Sequence, residues 1–178
     1  MRPYRFQRAG VKRQKDWPLL SRAIAVMNLP STLPNETDLE ARLSEPTPEV
    51  VATVSRLQGD VMLLGVAGKM GPSLARMTRR ASDTAGVQRR VIGVARFSAG
   101  GRDALEAHGI ETIACDLLDE DALARLPDAP NVLYLAGFKF GASGQQAHLW
   151  AMNCYLPAAV CRRFRQSRMV AFSTGNVY

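Results

Sequence analysis

From Val61 onward the sequence alternates between short apolar runs and helical stretches, and this rhythm sets the fold class. The runs are VMLL (Val61–Leu64), VIGVA (Val91–Ala95), ETIA (Glu111–Ala114), NVLYLA (Asn131–Ala136) and MVAF (Met169–Phe172). Helical stretches separate them: PSLARMTRRA, then GRDALEAH up to Gly109, then one beginning after Asp119, then a long one from about Gln145 to Arg165. Strands that are apolar on both faces belong in a parallel sheet covered by helices on both sides. Right-handed crossovers then predict an α/β fold, a doubly wound parallel sheet of order 3-2-1-4-5. Ligands of such a sheet bind at the carboxyl ends of the strands, where the order reverses.

Upstream of the sheet the pattern is purely helical. TDLEARLS offers Thr37 as N-cap with Glu40 three residues on, a capping box. In TPEVVATVSRLQGD, Thr47 is the cap, Pro48 suits the first helical position, and Gly59-Asp60 is the stop. Residues 27–60 therefore read as a helical N-terminal extension of the domain at 61–178, and residues 1–26 as a basic, disordered tail. The first fifteen residues hold six cations and no acid, nearly all of the net charge of +7. The domain itself is close to neutral. Such a tail suits RNA, DNA, anionic lipid or a mitochondrial-type presequence, or has no role at all. Met27 is an alternative start.

The glycines of GVAGKMG, Gly65, Gly68 and Gly71, follow the first strand directly and open the next helix. In that context a glycine triplet signals a phosphate-binding turn. Its backbone approaches a pyrophosphate where a Cβ would obstruct, and the helix N-terminus supplies free N–H groups. A turn needed only for chain reversal is the plain alternative. GVAGKMG lacks the spacing of a P-loop.

With GxxGxxG in place of GxGxxG, the sequence resembles the extended short-chain dehydrogenase/reductase superfamily, the NAD-dependent epimerase/dehydratase group, over about Val61–Tyr178. The motifs agree in order. GVAGKMG resembles the cofactor loop, carrying Gly65, Gly68, Lys69, Met70 and Gly71. CDLLD resembles the acidic motif after the third strand, with Asp116, beside Leu117, against the adenine. LAGFKFG resembles the small-residue segment along the cofactor ribose, with Ala136 and Gly137. WAMNCYLPAAV resembles the helix bearing the family asparagine, Asn153. FSTGNVY resembles the Ser/Thr loop ending in Val-Tyr, which makes Thr174 the catalytic hydroxyl and Ser173 its neighbour.

The resemblance implies a Rossmann domain and an NAD(P)-dependent oxidoreductase, epimerase or dehydratase. Its chemistry would be hydride transfer on a hydroxylated small-molecule substrate such as a nucleotide sugar. The family's acid/base, a YxxxK pair, lies downstream of the Ser/Thr loop. Tyr134 is followed at four by Phe138 and Tyr155 by Ala159, and Tyr178 is the family's Val-Tyr tyrosine. The chain is therefore expected to be the cofactor-binding part of such an enzyme, truncated after the fifth strand and inactive alone. A non-catalytic dinucleotide-binding sensor or interaction module is the alternative. A homodimer of the full-length protein is compatible with either.

An NAD-specific site of this fold ends its second strand in Asp or Glu, which binds the ribose hydroxyls and repels a 2′-phosphate. Here that position is Ala95, followed by Arg96, with Ser98 close by. A guanidinium there pairs with phosphate, so NADP is favoured over NAD.

Composition excludes other classes. No apolar run approaches the length of a membrane span. Cys115, Cys154 and Cys161 form no CxxC or Cys/His cluster. Cys154 and Cys161, about 10 Å apart along a helix, cannot bridge. Reduced thiols, no metal and a cytoplasmic location follow. Two scattered histidines, His108 and His148, lack ligand spacing, and no GxSxG supports a hydrolase. Arg162, Arg163, Arg165 and Arg168 favour the negative end of the long helix, and nucleic acid is not an expected partner.

Overall fold

The computed structural model describes residues 32–138 and 144–172. Every described helix and strand belongs to the unit Asn35–Tyr178. Its order is α1 (Glu36–Leu43), α2 (Pro48–Arg56), β1 (Val61–Leu64), α3 (Gly71–Thr84), β2 (Val91–Ala95), α4 (Arg102–Glu106), β3 (Glu111–Ala114), α5 (Glu120–Arg125), β4 (Asn131–Tyr134), α6 (Gln146–Trp150), a π-helical turn (Ala151–Tyr155), α7 (Leu156–Arg163) and β5 (Arg168–Ala171).

The five strands form one sheet of order β3-β2-β1-β4-β5 with every pair parallel, as the alternation of apolar runs and helices predicts. All residues of β1 and β2 are buried, because both faces of the inner strands are covered. Successive side chains point to opposite faces, so β1 divides its residues between two cores. Met62 and Leu64 pack with Ile92, Val94, Leu156, Val160 and Phe164 on one side. Val61 and Leu63 pack with Val91, Ala75, Leu105 and Ile110 on the other. Each large side chain so buried contributes about 1.5–3 kcal/mol.

Several local signals act as expected. Thr47 accepts from the Val50 amide and Pro48 opens α2. Asp119 caps α5 through the Ala122 amide at 3.0 Å. Gly109 adopts φ +71° in the turn before β3.

Two elements differ from expectation. The N-cap of α1 is Asn35, whose Oδ1 accepts from the Asp38 amide at 2.9 Å, and Thr37 lies inside the helix. Asparagine caps at least as well as threonine, and the earlier cap frees the Glu40 carboxylate for α3. The long helix is not one α-helix. An α-helical Pro157 would clash with the carbonyl of Asn153, to which it has no N–H to donate. The turn before it widens instead, and the Leu156 amide donates five residues back to Ala151.

Candidate functional site

The site is built where the chain leaves β1, β2, β3 and β4. Backbone bonds continue past the strand ends and hold these exits in register. Gly65 and Val66 amides both donate to the Val94 carbonyl (2.8 and 3.1 Å), Leu135 to Leu64 (2.9 Å) and Cys115 to Ala95 (2.9 Å). Between them lies a cleft of about 270 Å³. It brings together Gly65, Gly68, Arg96, Ser98, Asp116, Leu117, Ala136 and Gly137, which the sequence places on four separate loops.

The glycine loop has a sharper logic than pyrophosphate clearance alone. Gly65 has φ +88°, and a Cβ on it would lie 2.8 Å from the Ala136 amide nitrogen. It therefore permits both the turn and the close approach of the β1 and β4 exits. A Cβ on Gly71 would lie 2.0 Å from the Val66 carbonyl oxygen, so Gly71 seats the start of α3 on the loop. Both positions are set by packing, whereas Gly68 is open on the cleft side, its nearest neighbour being the Gly65 carbonyl oxygen at 3.3 Å. Lys69 and Met70 are exposed on the loop and do not line the cleft. The α3 N-terminus has no capping side chain and no acid of its own in the first turn, which leaves it suited to an anionic ligand.

At the exit of β2, Arg96 and Ser98 flank Phe97, the one non-glycine residue with positive φ among the described residues (+54°). Such a conformation is uncommon for a bulky side chain; here it bends the chain so that Ala95 through Ala99 all line the cleft. At the exit of β3, Asp116 accepts from the Leu118 amide at 3.0 Å. Cys115 beside it is buried, and burial, with the charges of Asp116 and Asp119, pushes its thiol up.

Asn153 does not line the cleft. Its Oδ1 accepts from the Phe138 amide (2.9 Å) and its Nδ2 donates to the Phe138 carbonyl (2.7 Å). It supports the segment next to Ala136 and Gly137, and Met152, one residue before it in the π turn, is the side that reaches the cleft. His148 meets the ring of Phe138 edge-on at 4.7 Å, a packing role. Asn153→Ala is expected to release this segment at a cost of about 1 kcal/mol, read as faster hydrogen exchange at the Phe138 amide. Unchanged exchange would refute the clamp.

Sequence reasoning missed Phe97, Cys115, Leu135 and Met152 as lining residues. The first carries no local signal, and the others are apolar positions at strand ends or in a helix. Ser173 and Thr174 lie outside the described residues. Among the described residues no group of three His, Cys, Asp or Glu is placed to hold a metal, and no helix is long and apolar enough to cross a membrane.

A glycine turn, an uncapped helix N-terminus and a cleft at the switch point of a parallel sheet together define a dinucleotide-binding domain. The chain belongs to the NAD dependent epimerase/dehydratase family, whose model matches residues 61–178. The cofactor of that family is a nicotinamide dinucleotide. Helices α1 and α2 precede the matched region. No curated protein matches the chain.

Proposed function

We propose that this chain carries the cofactor-binding domain of an NAD(P)-dependent oxidoreductase, epimerase or dehydratase acting on a hydroxylated substrate such as a nucleotide sugar. The observation that carries the reading is the convergence of the glycine loop at Gly65 and Gly68, the Arg96–Ser98 segment and Asp116 on one cleft. The residues fit a dinucleotide. The pyrophosphate belongs at the uncapped first turn of α3, over Gly68. The adenine belongs beside Asp116 and Leu117, and a 2′-phosphate beside Arg96 and Ser98, which favours NADP over NAD. The nicotinamide ribose belongs along Ala136 and Gly137, held in place by Asn153 through Phe138.

When bound, the cofactor supplies a hydride acceptor or donor; the protein orients it. Thr174, with Ser173, would hold the reacting hydroxyl. Proton transfer needs a positioned group of suitable pKa, and the tyrosines with described environments do not provide one. Burial, then the neighbouring Cys161, pushes Tyr134 up to about 12, so it stays a neutral phenol that donates to the Met152 carbonyl at 3.5 Å. Tyr155 has Ala159 where a lysine is needed.

The alternative reading is a dinucleotide-binding sensor or interaction module that uses the same cleft without turnover. Titration of NADPH and NADH onto residues 1–178, followed by nicotinamide fluorescence, tests the first. Binding without any substrate-dependent change in nicotinamide absorbance is expected. Failure to bind either dinucleotide would overturn the reading, and turnover by the purified chain would overturn the claim of inactivity. Grafting the chain onto a YxxxK-bearing carboxyl-terminal part separates enzyme from sensor: activity in the longer protein supports the enzyme.

A further inference from the structure

Helix α1 of the extension is fastened to a single stripe of α3. Ser73, Arg76 and Arg80, spaced three and four apart, share one face, and α1 engages all three. The Ser73 hydroxyl donates to Glu40 Oε2 at 3.1 Å, and the same oxygen lies 3.8 Å from an Arg76 guanidinium nitrogen. Arg80 donates to the Ala41 carbonyl at 2.8 Å and the Ser44 hydroxyl at 3.1 Å. Helix α2 is tied separately through buried Arg89, which donates to the Val54 and Leu57 carbonyls.

The first of these ties has a consequence for the cleft. Ser73 is buried in the opening turn of α3, two residues beyond Gly71. In that turn the Gly71 amide donates to the Gly68 carbonyl and the Leu74 amide to the Met70 carbonyl, Pro72 has no N–H, and the turn's carboxylate partner among the described residues comes from α1. Glu40 lies outside the residues that the family model matches, so the family assigns it nothing.

We infer that Glu40 is a positioning residue for the phosphate-binding turn: by holding the Ser73 hydroxyl, it fixes the direction of the Ser73 amide relative to Gly65–Gly68. The inference rests on the reading of the cleft as a dinucleotide site. Arg76 offsets the carboxylate's charge, so the effect is one of placement rather than of repulsion toward a pyrophosphate. The extension is then a working part of the cofactor site.

The test is calorimetric titration of NADPH onto the full chain and onto Glu40→Ala, Glu40→Gln and Ser73→Ala, with thermal midpoints recorded for each. Glu40→Ala and Ser73→Ala are expected to weaken binding by roughly three- to tenfold, the worth of one hydrogen bond. The double variant should lose little more than either. Glu40→Gln keeps an oxygen that accepts from Ser73 and should stay within about twofold of the parent, since the neutral pair retains most of that bond. Unchanged affinity in both alanine variants, whatever their midpoints, would overturn the inference and leave the dinucleotide reading standing. A Glu40→Gln variant that binds tighter than the parent, or as weakly as Glu40→Ala, would overturn it by placing the effect on charge. A parent chain that binds no dinucleotide would remove the reading itself, and the inference with it.

Discussion

Gly71→Ala should lower the thermal midpoint of this domain and abolish measurable dinucleotide binding. Its new methyl group would lie 2.0 Å from the Val66 carbonyl oxygen and 2.5 Å from the carbonyl carbon. Those are backbone atoms of the glycine loop, so no rotamer change relieves the contact. Alanine's better helix propensity returns at most about 1 kcal/mol, while forced repacking of this kind costs about 3 kcal/mol. For a domain of this size a net loss of roughly 2 kcal/mol lowers Tm by roughly 4–8 °C. Gly68→Ala is the control. Its methyl group would meet one atom, the Gly65 carbonyl oxygen, at 3.3 Å, so the fold should persist while the cleft side of the loop is obstructed. Thermal unfolding followed by circular dichroism checks both. A Gly71→Ala protein with the parent midpoint would show that the loop yields freely, contrary to the packing described.

Arg96→Ala should lower affinity for NADPH by roughly 10- to 100-fold, the worth of a charge-assisted bond to phosphate, and leave NADH nearly untouched. Arg96 is exposed on the cleft, free to reach a 2′-phosphate. Ala95→Asp should shift preference the other way, adding an acceptor for the ribose hydroxyls and a charge against the phosphate. Paired titrations of both dinucleotides onto each variant are the measurement. Equal affinities in the parent, or an Arg96→Ala loss shared by both dinucleotides, would place the guanidinium elsewhere.

The sheet was legible because its signal is redundant. VMLL and VIGVA are apolar on both faces, and the helices between them leave a parallel order as the natural solution. The cleft was legible to the extent that backbone geometry demands glycine, as at Gly65 and Gly71. Other features depend on tertiary competition. Asn35 and Thr37 are both good caps two residues apart, and the choice goes with what Glu40 does on α3, thirty-three residues away. The π turn follows from a proline clash that a hydrophobic period does not report. The left-handed Phe97 has no local signature at all. Asn153 was singled out by resemblance alone, and its bonds to Phe138 depend on the fold of the loop after β4.

Within the described sheet β5 pairs through β4 alone, as β3 does through β2, and it is the more exposed of the two edges, with Val170 on it 55% and Phe172 just past its end 44% exposed. The strands that carry the cleft, β3, β2, β1 and β4, form a contiguous block that does not depend on it. Stability is therefore graded across the sheet, and opening should begin at β5 while the block persists. In that partly opened state the cleft would survive while the chain's path beyond β5 would be released. On the reading of Thr174 and Ser173 as the substrate-facing hydroxyls, holding the cofactor and engaging a substrate would then be separable events, the second resting on the more exposed edge strand.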